Sequence, residues 1–213
     1  MTVERPASRS GWPAQVIRSA RLVAVMRRIE PQRRLIGLVE ELAAAGVVAF
    51  EITLDSPTAV EDLEAVRRHL ERAEAPFILG AGTVRSSTQL NQARDAGADY
   101  GVSPVLDETI LEQAVQMQLP FIPGAYTPTE VDRAWRGGAT FVKLFPASSA
   151  GPAHVREILA PLAEVELLVT GGVNGDNALS FLEAGAVAVG IGSALAKADS
   201  EARRSIVDRL KGD

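Results

Sequence analysis

Glu166-Leu167-Leu168-Val169-Thr170-Gly171-Gly172-Val173-Asn174 reads as a short strand that runs into a glycine turn. A helical segment follows over Asn174–Ala184, and Ala184-Gly185 supplies a glycine C-cap. A second β-branched run, Val187–Ile191, then ends in another glycine-rich turn, Gly190-Ile191-Gly192-Ser193-Ala194. Strand, helix and strand in this order form a βαβ unit, which lays its two strands parallel.

The same unit repeats toward the N-terminus. Further strand candidates are Leu22–Met26, Val47–Thr53, Pro76–Ala81, Asp99–Ser103, Pro120–Ile122 and Thr140–Phe145. Helical segments lie near Pro31–Ala45, Pro57–Ala73, Ser86–Ala96, Asp107–Met117, Thr127–Arg136 and Pro152–Ala160. Ser56-Pro57, Thr127-Pro128 and Asn174 have the chemistry of helix N-caps, and Gly46, Gly97, Gly138 and Gly185 that of C-caps. Eight strands alternating with helices predict a (β/α)8 TIM barrel within the α/β class. No Gly-x-Gly-x-x-Gly run follows the first strand, which argues against a dinucleotide site. An extra helix at 13–21 is expected to cover the barrel bottom, with the barrel core over 22–197 and a charged helix over Ser200–Lys211. No linker or shift of composition divides the chain, so residues 1–213 read as one domain.

Composition narrows the function. The chain has 213 residues, 46% of them hydrophobic, which is enough for one barrel core. The net charge is −5 and no basic block occurs, so neither nucleic acid nor an anionic membrane is the expected partner. With no cysteine there is no disulfide, thiolate nucleophile or Cys-based metal site. The two histidines, His69 and His154, sit in polar helical surroundings, so no metal site is expected. Met1-Thr2-Val3-Glu4-Arg5-Pro6 lacks the apolar core of a secretory signal, and a cytoplasmic protein is expected.

Three lysines occur in the chain, and one of them, Lys143, stands inside the apolar run Thr140-Phe141-Val142-Lys143-Leu144-Phe145-Pro146. The others, Lys197 and Lys211, lie in polar helical stretches. An arginine cannot become a neutral amine, whereas a lysine can, and a desolvated lysine is a candidate Schiff-base nucleophile. Strand parity gives it a companion. In Phe50-Glu51-Ile52-Thr53 the bulky Phe50 and Ile52 share one face, as do Val142 and Leu144 around Lys143. If the aliphatics face the helices, Glu51 and Lys143 both point into the barrel. Opposite charges in one apolar interior either pair to hold strand register or perform chemistry.

Active sites of this fold lie at the C-terminal strand ends. Arg27, Glu51, Thr53, Thr83, Ser103, Lys143 and Thr170 collect there. The glycine turns after strands 7 and 8 stand where this barrel cradles phosphate, because backbone N–H groups can approach an anion at glycine.

Together, Phe50-Glu51-Ile52-Thr53-Leu54, Gly80-Ala81-Gly82-Thr83-Val84, Ser103-Pro104, Ile122-Pro123-Gly124, Val142-Lys143-Leu144-Phe145-Pro146-Ala147, Thr170-Gly171-Gly172-Val173 and Gly192-Ser193 resemble the class I 2-keto-3-deoxy-6-phosphogluconate / 4-hydroxy-2-oxoglutarate aldolases over about residues 20 to 197. The resemblance implies roles. Lys143 is similar to the Schiff-base lysine and Glu51 to the general acid/base. Thr83, Thr170, Phe145 and the Pro104 turn match the pyruvate pocket, and Arg27 the arginine that meets the substrate's anionic groups. Gly171, Gly172, Gly192 and Ser193 match the phosphate cradle. It further implies a phosphorylated keto acid as substrate, no cofactor or metal, and a homotrimer. One position departs from the gluconate type: four residues after Glu51, where a basic residue is usual, stands Asp55. The Asp55-Ser56-Pro57 turn and Arg27-Arg28-Ile29-Glu30-Pro31 are closer to the phosphogalactonate branch, whereas Thr53 and Thr170-Gly171-Gly172 resemble the gluconate branch. The alternatives are a 4-hydroxy-2-oxoglutarate aldolase that leaves the glycine turns unused, a phosphosugar isomerase or epimerase, and a non-catalytic phosphosugar-binding barrel.

Overall fold

The computed structural model describes residues 11–74 and 76–211; the Met1–Pro6 stretch, expected to be free of a secretory core, lies outside them. The strands are β1 (Leu22–Met26), β2 (Ala49–Thr53), β3 (Ile78–Gly82), β4 (Tyr100–Val102), β5 (Phe121–Ile122), β6 (Gly124–Ala125), β7 (Val142–Leu144), β8 (Leu167–Thr170) and β9 (Ala188–Ile191). They form one parallel sheet in the order β5-β4-β3-β2-β1-β9-β8-β7-β6.

β5 and β6 are two halves of one strand, divided at Pro123, which has no N–H to give a ladder. That strand is bonded on both sides. The Ile122 carbonyl accepts from Ser103 N at 3.1 Å, and the Pro123 carbonyl accepts from Lys143 N at 2.9 Å. The ring thus closes through eight strand positions, as the alternation predicted, and the proline explains why the fifth position is counted twice.

Helices connect the strands. α1 (Trp12–Ala20) precedes β1; α2 (Gln32–Ala44), α3 (Ala59–Arg72), α4 (Ser87–Asp95), α5 (Glu108–Gln116), α6 (Pro128–Arg136), α7 (Ala147–Leu159), α8 (Ala178–Glu183) and α9 (Ser193–Lys197) follow successive strands, and α10 (Ser200–Leu210) ends the fold. Among the described residues no helix is long and apolar enough to cross a membrane. Thr127 caps α6 in a reciprocal pair with Glu130, and Gly46, Gly97, Gly138 and Gly185 all adopt positive φ just past a helix.

Two expected N-caps are displaced. α3 starts at Ala59, with Thr58 as N-cap, because Ser56-Pro57 forms a turn whose Ser56 carbonyl accepts from Ala59 N. α8 starts at Ala178, because the Asn174 side chain accepts from Asp176 N and Asn177 N and builds its own turn first. α7 begins earlier than its sequence pattern suggested, at Ala147, and is broken at Gly151, whose φ is 71°.

Two apolar layers result. Phe50, Ile52, Val142, Leu144, Leu167, Val169, Val189 and Ile191 face the helices. Inside, Val23, Ala49, Ile78, Tyr100, Ile122, Phe141, Leu168 and Ala188 fill the lower barrel with Ala14 and Ile17 of α1 as its floor. The upper barrel is left to polar groups. α9, next to the upper rim, is braced by buried Arg203: its Nε donates to the Leu195 carbonyl at 3.0 Å and its Nη2 to the Ala196 carbonyl at 3.3 Å, while Nη1 pairs with Glu41 of α2.

Tyr100 is fully buried, and its hydroxyl donates to the Phe50 carbonyl at 2.7 Å. A Cβ on Gly80 would overlap the Tyr100 ring, whereas one on Gly37 in α2 meets no atom within 4 Å. Gly80→Ala is therefore expected to cost about 1–3 kcal/mol as overpacking. Gly37→Ala is expected to stabilise by roughly 0.5–1 kcal/mol through helix propensity. Denaturant unfolding of the pair checks both signs.

Candidate active site

A cavity of about 580 Å³ opens at the C-terminal ends of the strands. Lys143, Glu51, Arg27, Thr83, Pro104, Phe145, Thr170, Gly171, Gly172, Gly192 and Ser193, all singled out from sequence, line it together. Ser103 does not; it is buried, and its hydroxyl accepts from Val105 N.

Lys143 and Glu51 are inward residues of β7 and β2, and both are withdrawn from solvent, at 7% and 1% exposure. Among the described residues no ion pair within 4 Å joins them to each other or to a third group. Glu51 Oε1 is buried without a hydrogen-bond partner. Burial pushes the Glu51 carboxyl above the ordinary glutamate range, and the positive charges of Lys143 and Arg27 offset this only in part. Gly82 makes the space: a Cβ there would overlap the Glu51 carboxylate. The Lys143 ammonium nitrogen lies 5.4 Å from the centre of the Phe145 ring. A buried lysine and a buried carboxyl group that face one cavity without an ion pair between them have the chemistry that nucleophilic and general acid/base catalysis require.

Thr83 has φ 58°, in the left-handed region. A β-branched residue is costly there and persists only where its surroundings over-determine it, a condition that clusters at working sites. Opposite, Gly171 and Gly172 follow β8 with φ of 89° and 86°, a conformation that favours glycine. A Cβ on Gly171 would stand 2.9 Å from the Phe145 ring, and one on Gly172 would stand 2.6 Å from Ser148. Ser148 N donates to the Gly171 carbonyl at 2.8 Å and Asn177 Nδ2 to the Gly172 carbonyl at 3.0 Å, so both carbonyls of the turn that lines the cavity are held.

Two cations of this cavity escaped the reading of the sequence: Arg34 of α2 and Lys197 of α9. Lys197 stands one helical turn beyond Ser193, the only signal by which it could have been found. Among the described residues four basic side chains, Arg27, Arg34, Lys143 and Lys197, thus line the cavity with one acidic side chain, Glu51, within a chain of net charge −5. Such a lining attracts anions. At the other end of the barrel a cavity of about 450 Å³ is bordered by Trp12, Leu22, Val47 and Phe77 and, among the described residues, by no carboxylate.

A family profile described as "Aldolase: KDPG and KHG aldolase" matches residues 14–209. A probable 2-dehydro-3-deoxy-6-phosphogalactonate aldolase of Rhizobium meliloti (strain 1021) is 33% identical over 177 residues, covering 83% of this chain and 82% of that protein. A 2-dehydro-3-deoxy-phosphogluconate aldolase of Pseudomonas aeruginosa is 34% identical over 167 residues, covering 78% and 73%. Among solved structures, a KDPG aldolase from Legionella pneumophila, with pyruvate captured as a covalent carbinolamine intermediate, superposes with a TM-score of 0.79 at 26% identity over 93% of this chain and 95% of that one.

Two expectations follow from the site's strain and burial. A carboxyl whose folded-state pKa is raised lowers stability above that pKa, and the cost disappears as pH falls below the unfolded value. Glu51→Gln is therefore expected to melt at a higher temperature than the wild type at neutral pH, and the gap should close as the pH is lowered toward the ordinary glutamate range; melting curves across pH measure it. Thr83→Gly relieves the left-handed backbone and is expected to be no less stable than the wild type, by up to about 1 kcal/mol more stable, although it removes a cavity side chain.

Proposed function

The chain belongs to the KDPG and KHG aldolase family, and on that premise we propose that it is a class I, pyruvate-forming aldolase that cleaves a 2-keto-3-deoxy-6-phospho sugar acid to pyruvate and glyceraldehyde 3-phosphate. The observation that carries this reading is the buried, mutually unpaired Lys143 and Glu51 facing a cavity whose far wall is the Gly171-Gly172 turn. The capture of pyruvate as a covalent carbinolamine in the Legionella pneumophila relative agrees with it.

In this reading the neutral amine of Lys143 adds to the C2 ketone, and the carbinolamine loses water to give an iminium. Glu51 accepts the proton of the C4 hydroxyl. The C3–C4 bond breaks, its electron pair flows into the iminium as an enamine, and glyceraldehyde 3-phosphate departs. Glu51 or a water it orients returns a proton to C3, and hydrolysis of the imine frees pyruvate and Lys143. The apolar surroundings that raise the Glu51 pKa make it a stronger base than a solvated carboxylate. Thr83, Thr170, Pro104 and Phe145 enclose the pyruvate portion, and Gly171, Gly172, Gly192 and Ser193 receive the phosphate, with Arg34 and Lys197 beside them. Those two further cations favour a phosphorylated substrate over 4-hydroxy-2-oxoglutarate, which carries a second carboxylate on C4 but no phosphate. A homotrimer and a cytoplasmic location are part of the same proposal.

Borohydride trapping with pyruvate, read by peptide mass spectrometry, tests the chemistry. A reduced pyruvate adduct is expected on the Lys143 peptide and is expected to vanish in Lys143→Ala together with turnover. Glu51→Gln is expected to keep the adduct while losing about 10²–10⁴ in kcat, the usual worth of general acid–base assistance. Full aldol activity in Lys143→Ala, or an adduct confined to Lys197 or Lys211, would overturn the assignment.

A further inference from the structure

Asp55 occupies the position where a cation would be expected to meet a substrate anion. It does not face the substrate cavity as a free charge. Its side chain is 12% exposed, and both of its oxygens are taken. Thr53 Oγ1 donates to Oδ1 at 2.7 Å, and Arg27 Nε donates to Oδ2 at 2.9 Å. Arg28 holds the same residue from a second side: its Nε donates to the Asp55 backbone carbonyl at 3.1 Å and lies 3.3 Å from Oδ2. Burial pushes the Asp55 carboxyl upward, but the bonds from Thr53 and Arg27 and the charges of Arg27 and Arg28 outweigh it and keep the group ionised. Of the other charged groups of the cavity lining, Glu51 feels the charge of Arg27, and Arg34 is a further cation.

The consequence lies at Arg27. A guanidinium offers five N–H donors in a planar fork. Asp55 engages the Nε–H, and among the described residues the Nη groups make no hydrogen bond. Arg27 lines the cavity; its side chain is 61% exposed, and among the described residues Asp55 is the hydrogen-bond partner that holds it. Held by one edge, the fork keeps its Nη end for a carboxylate or phosphate, the geometry in which arginine binds oxyanions bidentately.

We propose that Asp55 is a positioning residue that sets specificity: through its bond to Nε it aims Arg27 at an anionic group of the substrate, so that recognition on this side of the site passes from position 55 to the end of β1. This rests on the aldolase reading above. A direct role for Asp55 in binding substrate would leave its effect independent of Arg27, and a merely structural role would move stability and kcat along with KM.

A double-mutant cycle separates these. KM and kcat for the phosphorylated keto acid are measured in the wild type, Asp55→Ala, Arg27→Ala and the double variant, with Asp55→Asn as a close-shaped second variant and melting temperatures throughout. Asp55→Ala and Asp55→Asn are each expected to raise KM about tenfold, the order of one charge-assisted hydrogen bond, with kcat changed by less than about threefold. In the Arg27→Ala background the same change at position 55 is expected to raise KM by less than about twofold, because the group it positions is gone. The pyruvate concentration needed for half-maximal borohydride trapping identifies the anion: a rise in Asp55→Ala assigns Arg27 to the carboxylate, and no rise, with KM for the full substrate still raised, assigns it to the phosphate. An unchanged or lowered KM in Asp55→Ala, or an equal rise with and without Arg27, overturns the proposal. Absence of a Lys143 adduct in the wild type would instead sink the aldolase reading itself, so the two failures are distinguishable.

Discussion

A lysine and a glutamate are withdrawn from water in one barrel, and among the described residues no ion pair within 4 Å joins them. That constraint organises the upper half of this molecule. A carboxyl group that is 1% exposed, with its Oε1 left without a hydrogen-bond partner, is costly to bury. Here the surroundings hold it in place. Gly80 and Gly82 leave room on β3, Tyr100 fills the first of those spaces from below, and Gly82 leaves the second for the Glu51 carboxylate. The apolar filling of the lower barrel, with α1 as its floor, supplies the rigidity that such a site needs.

The rim is built on the same principle of groups fixed by second partners. Ser148 and Asn177 hold the carbonyls of the Gly171-Gly172 turn, Arg203 holds the last carbonyls of α9, and Asp55 holds Arg27. In each case a residue outside the cavity sets the direction of one inside it. Thr83, with its left-handed backbone, adds a residue held in a conformation that a β-branched side chain rarely adopts.

Much of this was legible in the chain. The period of two in Phe50-Glu51-Ile52-Thr53 and Val142-Lys143-Leu144 gave the inward direction of Glu51 and Lys143, because a parallel strand covered by helices must turn its bulky aliphatics outward. Capping chemistry located most helix ends, and failed at Ser56-Pro57 and Asn174, where the same residue types built turns before the helix began. Arg34 and Lys197 were overlooked because each lies on a helix with no local mark distinguishing it from a solvated surface cation.

The sequence by itself determined the class of fold, the pair of charges and the glycine turns, because strand parity, helix periodicity and glycine's freedom at positive φ are local properties of a few consecutive residues. Only the tertiary structure decided what Asp55 does. Arg27 and Asp55 are 28 positions apart and meet because β1 and β2 pair with Met26 beside Ile52, so that the residues leaving the two strands emerge side by side. Whether a carboxylate at a strand end faces a ligand or an arginine depends on that register across strands, a non-local quantity that no short stretch of chain contains.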